Sequence, residues 1–258
     1  MQKALIVGIN YTGSEYELRG CHNDAADWSM FLGDHMPVKQ MLEEEATKAS
    51  VLRELCGVVD ELHSGETGAF VWSGHGTQLP DRSGDEPDHW DEALVPYDMG
   101  NSWEQLLLDD ELGTVFAGLV PGARLIFIAD ACCSGTMMRG HRKTAWRKDR
   151  YINPSCFGVT MHVDKSKPRR QLSGDIPALG VILYAGCQDE QSSEETQHNG
   201  RIGGVLTRYL IPAFKKTLAA GGAYVDVYKT LRDDLPSKHF SQVPELRCES
   251  GLYEVKLF

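Results

Sequence analysis

Residues 123–129, ARLIFIA, form an apolar run broken by one arginine, and Asp130-Ala131-Cys132-Cys133-Ser134-Gly135 follows at once. A run of this length without polar alternation predicts a strand buried on both faces, the kind found inside parallel sheets. Residues 3–10 (KALIVGIN), 68–73 (GAFVWS) and 181–185 (VILYA) read the same way. Between these runs the spacing turns helical. Ala25, Ala26, Trp28, Phe31 and Leu32 share one face, with Asn23 or Asp24 ahead of them as the candidate cap. Val51, Leu52, Leu55, Val58, Val59 and Leu62 predict an amphipathic helix over 47–63. Another begins at Asp109, and two more are expected over 203–219 and 225–235, with a short strand at 93–96 and an edge strand after Pro244. Buried strands alternating with amphipathic helices predict an α/β fold, a sandwich around a central, mostly parallel sheet.

In such sheets function gathers at the carboxyl ends of the strands. Two of the predicted strands end in reactive side chains: one runs into Ser73-Gly74-His75-Gly76, the other into Asp130-Ala131-Cys132. A cysteine nucleophile needs a partner that takes its proton and later protonates the leaving amine, and histidine does this near neutral pH. Glycine-rich turns can present the backbone N–H donors that a tetrahedral oxyanion requires. Singly, His75 or Cys132 reads as a buried residue at a strand end. Paired, each beside glycines at a strand terminus, they read as a catalytic dyad.

The formal net charge of the 258 residues is −11, which argues against a nucleic-acid binder, since phosphate contacts need a basic face. No run of about 18 apolar residues predicts a membrane span, and the first residues lack the pattern of a signal peptide. Seven cysteines, an odd number without a CxxC pair, fit a reducing, cytoplasmic setting and no structural zinc. The charge is unevenly spread. Residues 81–111 carry eleven acids and one base, net −10, whereas residues 137–170 carry ten bases and two acids, net +8. The bland reading of both blocks is a solvated loop. The acidic block lacks the EF-hand register. The basic block, with Gly140, Pro154, Gly158 and Pro168 and no clean periodicity, reads as a long connection.

The ordered set of motifs resembles the metacaspases, caspase-like cysteine peptidases of family C14. It comprises Lys3–Asn10, Gly20-Cys21-His22-Asn23-Asp24-Ala25, Ser73-Gly74-His75-Gly76, Gly84-Asp85-Glu86 through Asp91-Glu92, and Asp109-Asp110-Glu111-Leu112. It continues with Asp130–Thr136, Ala185–Gln191, Gly203–Thr207 and Gln242–Leu246. The 57 residues from His75 to Cys132 also suit the caspase-type gap of about 50. The resemblance implies a caspase-like sandwich as a single domain over 1–258. It would comprise a large-subunit-like part (1–136), a basic linker (137–175) and a small-subunit-like part (176–258), with no prodomain. It implies Cys132 as nucleophile, His75 as acid/base, and the N–H groups of Gly76 and Cys132 as the oxyanion hole. Cys133 stands where the family usually has histidine.

The resemblance further implies a pocket for a basic side chain built from Asp24, Ser73 and Asp130, hence protein or peptide substrates cut after Arg or Lys. A cation site for Ca2+ would use Asp91, Asp109 and Asp110, although a fourth acidic position of the family is Arg139 here. Self-cleavage is expected in the linker, whose candidate positions are Arg139, Arg142, Lys143, Arg147, Lys148, Arg150, Lys165, Lys167, Arg169 and Arg170. The family resemblance favours a monomer, and the absence of a long apolar run predicts no membrane partner. The competing readings are a catalytically weak caspase-like scaffold, a nucleotide-binding domain (which lacks its GxGxxG or GxxxxGK[ST] loop here) and a dedicated calcium module.

Overall fold

The computed structural model describes residues 3–80, 90–132, 147–159, 180–186, 193–235 and 242–258. Along the chain come β1 (Ala4–Gly8), α1 (Cys21–Gly33), β2 (Val38–Leu42), α2 (Lys48–Asp60), β3 (Thr67–Ser73), β4 (Gly76–Pro80), β5 (Trp90–Leu94) and β6 (Leu107–Leu108). Then follow α3 (Asp109–Phe116), β7 (Arg124–Asp130), β8 (Arg147–Asp149), β9 (Val181–Ala185), β10 (Glu194–His198), β11 (Arg201–Gly204), α4 (Val205–Ala219), α5 (Tyr224–Asp234) and β12 (Glu245–Arg247). Six strands make the central sheet in the order β12-β9-β7-β3-β1-β2, parallel throughout except for the antiparallel edge strand β12.

The four predicted buried strands are its centre, and period-two alternation divides their side chains between two cores. Leu5, Val7, Phe70, Trp72, Leu125 and Phe127 face α2 and α3. Ile6, Val71, Ile126, Ile128, Ile182 and Tyr184 face α1, α4 and α5. Covering both faces of a parallel sheet in this way explains why its strands read as continuous apolar runs. The result is the predicted α/β/α sandwich.

Three expectations need correction. Helix α1 starts at Cys21 with Gly20 as its N-cap, so neither Asn23 nor Asp24 caps it. Asn23 instead donates to the Ile202 carbonyl at 2.8 Å, and Asp24 is buried in the interior. The described part of the acidic block is no solvated loop. Its strand β5 pairs with β4 on one side and β6 on the other in a small antiparallel sheet, and Asp91, Glu92 and Asp109 are buried. The basic block is not merely a connection either, because its residues 147–149 form β8, the edge of a third sheet ordered β11-β10-β8. β5 overlaps the short strand expected at 93–96, whereas β8 (RKD) is short and polar and lacks an apolar signature, so periodicity passes over it.

Candidate active site

The register of β3 and β7 assembles the site. These parallel strands pair with Ser73 opposite Asp130. Two residues beyond that pair on each chain stand His75 and Cys132, both buried at the carboxyl edge of the sheet. His75 is held on several sides. Its N–H donates to the Tyr11 hydroxyl oxygen at 3.0 Å, and the Tyr11 O–H in turn donates to the Val95 carbonyl at 2.5 Å. The Tyr11 ring packs against the imidazole at 4.8 Å between centroids. Nε2 lies 2.8 Å from the Tyr16 carbonyl oxygen. A carbonyl only accepts, so Nε2 carries the hydrogen and Nδ1 keeps its lone pair. Nδ1 is buried with no hydrogen-bond partner among the described residues. Burial pushes the imidazole pKa down to about 4, against the smaller opposing effect of the Tyr16 carbonyl, so the ring is neutral at pH 7.

The N–H groups expected to form an oxyanion hole converge on one atom. Gly76 N donates to the carbonyl oxygen of Arg150 at 3.0 Å, and Cys132 N donates to the same oxygen at 3.2 Å. The side chain of Arg150 is fully buried among the predicted pocket residues. Its Nη2 lies 2.5 Å from Asp24 Oδ2, and its Nη1 lies 3.0 Å from Asp130 Oδ1, 2.9 Å from the Asp130 carbonyl and 3.1 Å from Ser73 Oγ. Asp24, Ser73 and Asp130 thus meet around a guanidinium, although they come from α1, β3 and β7.

Each pocket carboxylate is held by further donors. Asp24 accepts from Ser73 Oγ at 2.8 Å and from Gly204 N at 2.9 and 3.1 Å. Asp130 accepts from Ser193 Oγ at 2.9 Å, from Thr207 N at 3.0 Å and from Thr207 Oγ1 at 2.7 Å. A third carboxylate, Glu195 on β10, is fully buried with Oε2 3.8 Å from Arg150 Nη2. It is fixed by the backbone N–H groups of Arg19 (2.9 Å) and Gly20 (2.8 Å) at the start of α1. Sequence reading missed Glu195, Tyr11 and Tyr16. Glu195 lies in a short polar strand without a motif, Tyr11 reads as an ordinary aromatic, and Tyr16 acts through a carbonyl, which no side-chain pattern reports.

Burial pushes Asp24 up to about 6, with Arg150 opposing the rise and Asp130 adding to it. A pocket that binds a cation through Asp24 loses affinity when Asp24 takes a proton. KM for a basic ligand should therefore rise several-fold as pH falls from 7 to 5, whereas His75, with its pKa near 4, stays neutral over most of that range. Steady-state kinetics across that range check this, and an acid limb confined to kcat would contradict it.

Gly204 shapes the pocket wall. A Cβ there would overlap Asp130 Oδ2 and stand 2.6 Å from Arg150 Nη1, although its φ of −66° suits any residue. If the pocket takes a basic side chain, Gly204→Ala should lower kcat/KM for an arginine peptide about tenfold to a hundredfold through overpacking of about 1–3 kcal/mol. A lysine substrate, which has no second terminal nitrogen, should lose less, and parallel assays of the two check this.

Residues 2–140 match the model of the metacaspase, peptidase C14 domain, which is more than half of the chain. The chain belongs to the metacaspase family. It is 30% identical to metacaspase-1 of Coccidioides immitis over 97% of its own length and 62% of that protein. It is 28% identical to metacaspase-1A of Aspergillus fumigatus over 97% of its length and 69% of the relative. Among solved structures it is similar to protein GSU0716 of Geobacter sulfurreducens, at 25% identity and a TM-score of 0.72, covering 99% of this chain and 97% of that one. Metacaspases are cysteine-type peptidases, and that is the activity class of this chain.

The expected metacaspase cation residues are only partly gathered. Asp91 and Asp109 are buried within electrostatic reach of each other. Burial first, and the Asp91 carboxylate second, push Asp109 up to about 8. Asp109 accepts the Asp110 N–H at 3.1 Å, but no group of three or more metal-binding side chains comes together among the described residues. A buried carboxylate pair with one member driven toward its neutral form fits a hard cation, which would let both ionise. Of the ten linker positions, Arg147, Lys148 and Arg150 are described. Arg139, Arg142, Lys143, Lys165, Lys167, Arg169 and Arg170, like Cys133, lie outside the described residues. No helix among the described residues is long and apolar enough to cross a membrane.

Proposed function

We propose that this metacaspase-family chain is an endopeptidase that cleaves proteins on the carboxyl side of Arg or Lys, with Cys132 as nucleophile and His75 as acid/base. One observation carries this reading: an arginine of the chain itself has its carbonyl oxygen on the Gly76 and Cys132 N–H groups and its guanidinium among Asp24, Asp130 and Glu195. A site that selects a basic residue must offer opposite charge, and Arg pairs well with carboxylates held in a fixed array.

The mechanism follows from the tautomer. With Nε2–H tied to the Tyr16 carbonyl, Nδ1 accepts the Cys132 thiol proton as sulfur attacks the scissile carbonyl carbon. Negative charge grows on the carbonyl oxygen, where the two N–H groups are already aligned, so no reorganisation is needed at that moment. The C–N bond breaks, and the proton on Nδ1 passes to the leaving amine. Because burial disfavours the imidazolium, that transfer is downhill. Water, deprotonated by the same nitrogen, then hydrolyses the thioester and restores the thiol.

Calcium activation belongs to the proposal. Asp91 and Asp109 would hold the ion with Asp110 beside them, and when bound it would supply the positive charge that the pair lacks. The test compares fluorogenic peptides with Arg, Lys or Asp at the cleaved position, with and without calcium. Cleavage after Arg and Lys is expected and cleavage after Asp is not; a preference for Asp would overturn the pocket assignment. Calcium should also raise the melting temperature, and Asp109→Asn should remove that rise. An unchanged melting curve would remove calcium from the scheme and leave the peptidase reading intact.

A further inference from the structure

We propose that Tyr11 is a positioning residue for His75: its hydroxyl fixes the main chain of the histidine between the ends of β3 and β5, and the loop it anchors holds the imidazole. This rests on the reading of His75 as acid/base and adds to it a residue outside the dyad.

Backbone strain is the first observation. Tyr11 has a φ of 52°, a left-handed conformation that bulky residues rarely adopt. Strained residues persist where their surroundings over-determine them, and they cluster at functional sites. The surroundings of Tyr11 do this through a closed ring of hydrogen bonds. His75 N donates to the Tyr11 hydroxyl oxygen at 3.0 Å, the Tyr11 O–H donates to the Val95 carbonyl at 2.5 Å, and Val95 N donates to the His75 carbonyl at 3.1 Å. The ring joins the residue two beyond β3 to the residue one beyond β5. Trp72 Nε1 adds a second donor to the His75 carbonyl at 3.3 Å. Burial pushes the Tyr11 phenol pKa up, so the hydroxyl stays a donor at working pH.

The same loop reaches the imidazole. Ser14 N and Ser14 Oγ both donate to the Tyr11 carbonyl, at 3.1 and 2.7 Å, and Leu18 N returns to the Asn10 carbonyl at 2.6 Å. The loop is thus closed at its base, and it delivers the Tyr16 carbonyl to Nε2. The Tyr11 ring lies against the imidazole. Displacing Tyr11 therefore moves both the His75 backbone and the acceptor that sets the His75 tautomer.

Gly74 makes room for this arrangement. A Cβ there would stand 3.0 Å from the Tyr11 hydroxyl oxygen and 3.0 Å from Trp72 Nε1. Its φ is not positive, so space, and not conformation, is what this glycine supplies. The two glycines that flank His75 thus do different things: Gly74 admits the tyrosine hydroxyl, and Gly76 presents an N–H to the site.

The test measures kcat and KM of the purified full chain on a fluorogenic arginine peptide, and the nitrogen NMR spectrum of His75 in histidine-labelled protein. Melting curves establish that each variant is folded at the assay temperature. Tyr11→Phe keeps the ring and loses the hydroxyl. It should lower kcat about tenfold to a hundredfold, the scale expected for a small misplacement of a reacting group, with KM within about twofold of wild type. Its His75 should populate both imidazole tautomers, where wild type shows Nε2–H alone. Gly74→Ala crowds the same hydroxyl and should give the same pattern. The two changes together should lose no more than about threefold beyond Tyr11→Phe, because they act through one atom.

A folded Tyr11→Phe with kcat within about twofold of wild type and an unchanged tautomer would overturn the proposal, and so would a loss confined to KM. Losses that multiply in the combined variant would overturn the part given to Gly74. If Tyr11→Phe does not fold, Gly74→Ala decides on the same readouts. If wild type hydrolyses no basic peptide, the peptidase reading fails instead, and the tautomer comparison still decides the role of Tyr11.

Discussion

Cys132→Ala is expected to abolish peptide hydrolysis, with a loss in kcat of more than about 10^4-fold, the scale on which peptidases lose activity when the nucleophile is removed. The physical reason is local. Cys132 lies two residues beyond Asp130 at the end of β7, and its own N–H is one of the two donors aimed at the Arg150 carbonyl. Alanine keeps that N–H, so the variant should keep the Arg150 contact and its fold while losing the sulfur. The expected pattern is therefore a melting temperature within a few degrees of wild type and no turnover. Turnover above about 1% of wild type in Cys132→Ala would move the nucleophile to another thiol, and Cys133, next in sequence, would be the first to test.

Asp130→Asn should be the next most damaging change. Asp130 carries four hydrogen-bond relations at once: Ser193 Oγ and Arg150 Nη1 on one oxygen, Thr207 N and Thr207 Oγ1 on the other. All four partners donate in this arrangement, so a carboxylate satisfies them and an amide NH2 must face at least one donor with another. Removing one member of a buried hydrogen-bonded charge pair costs about 2–5 kcal/mol. The mid-range corresponds to a fall in kcat/KM of about 10^2- to 10^3-fold for an arginine peptide. Most of it should appear in KM, because the lost interaction exists in the bound ground state as well as the transition state. Activity at high substrate should survive in part, which distinguishes this variant from Cys132→Ala. An unchanged KM would mean that the pocket acts on something other than the basic side chain.

The parts of the molecule legible from sequence are those that local chemistry dictates. The runs at 3–10, 68–73, 123–129 and 181–185 could only be satisfied by burial on two faces, and they became the centre of the sheet. The placement of His75 and Cys132 at adjacent strand ends was legible because each follows such a run by a fixed short step, so placing the strands side by side in register places the residues too. Helix α2 was legible from its apolar spacing and begins at a Thr47 cap whose Oγ1 accepts from Ser50 N at 3.2 Å. The start of α1 was misread for a physical reason: Asn23 and Asp24 look like caps in isolation, but tertiary contacts with Gly204 and Arg150 draw the Asp24 carboxylate inward.

By itself the sequence determined the sandwich, the strand ends and the residue types able to perform thiol chemistry. All of these follow from hydrophobic periodicity and short-range spacing. Tertiary structure alone decided which of the described basic linker residues meets the carboxylates and that a third acid joins them. Glu195 reaches the Gly20 N–H across 175 residues of chain, and Arg150 reaches Asp24 across 126. Charge in the sequence says that acids and bases are present. Only the pairing of β8 with β10 beside the ends of β3 and β7 brings one of the three described basic linker residues, Arg150, onto the N–H groups of Gly76 and Cys132.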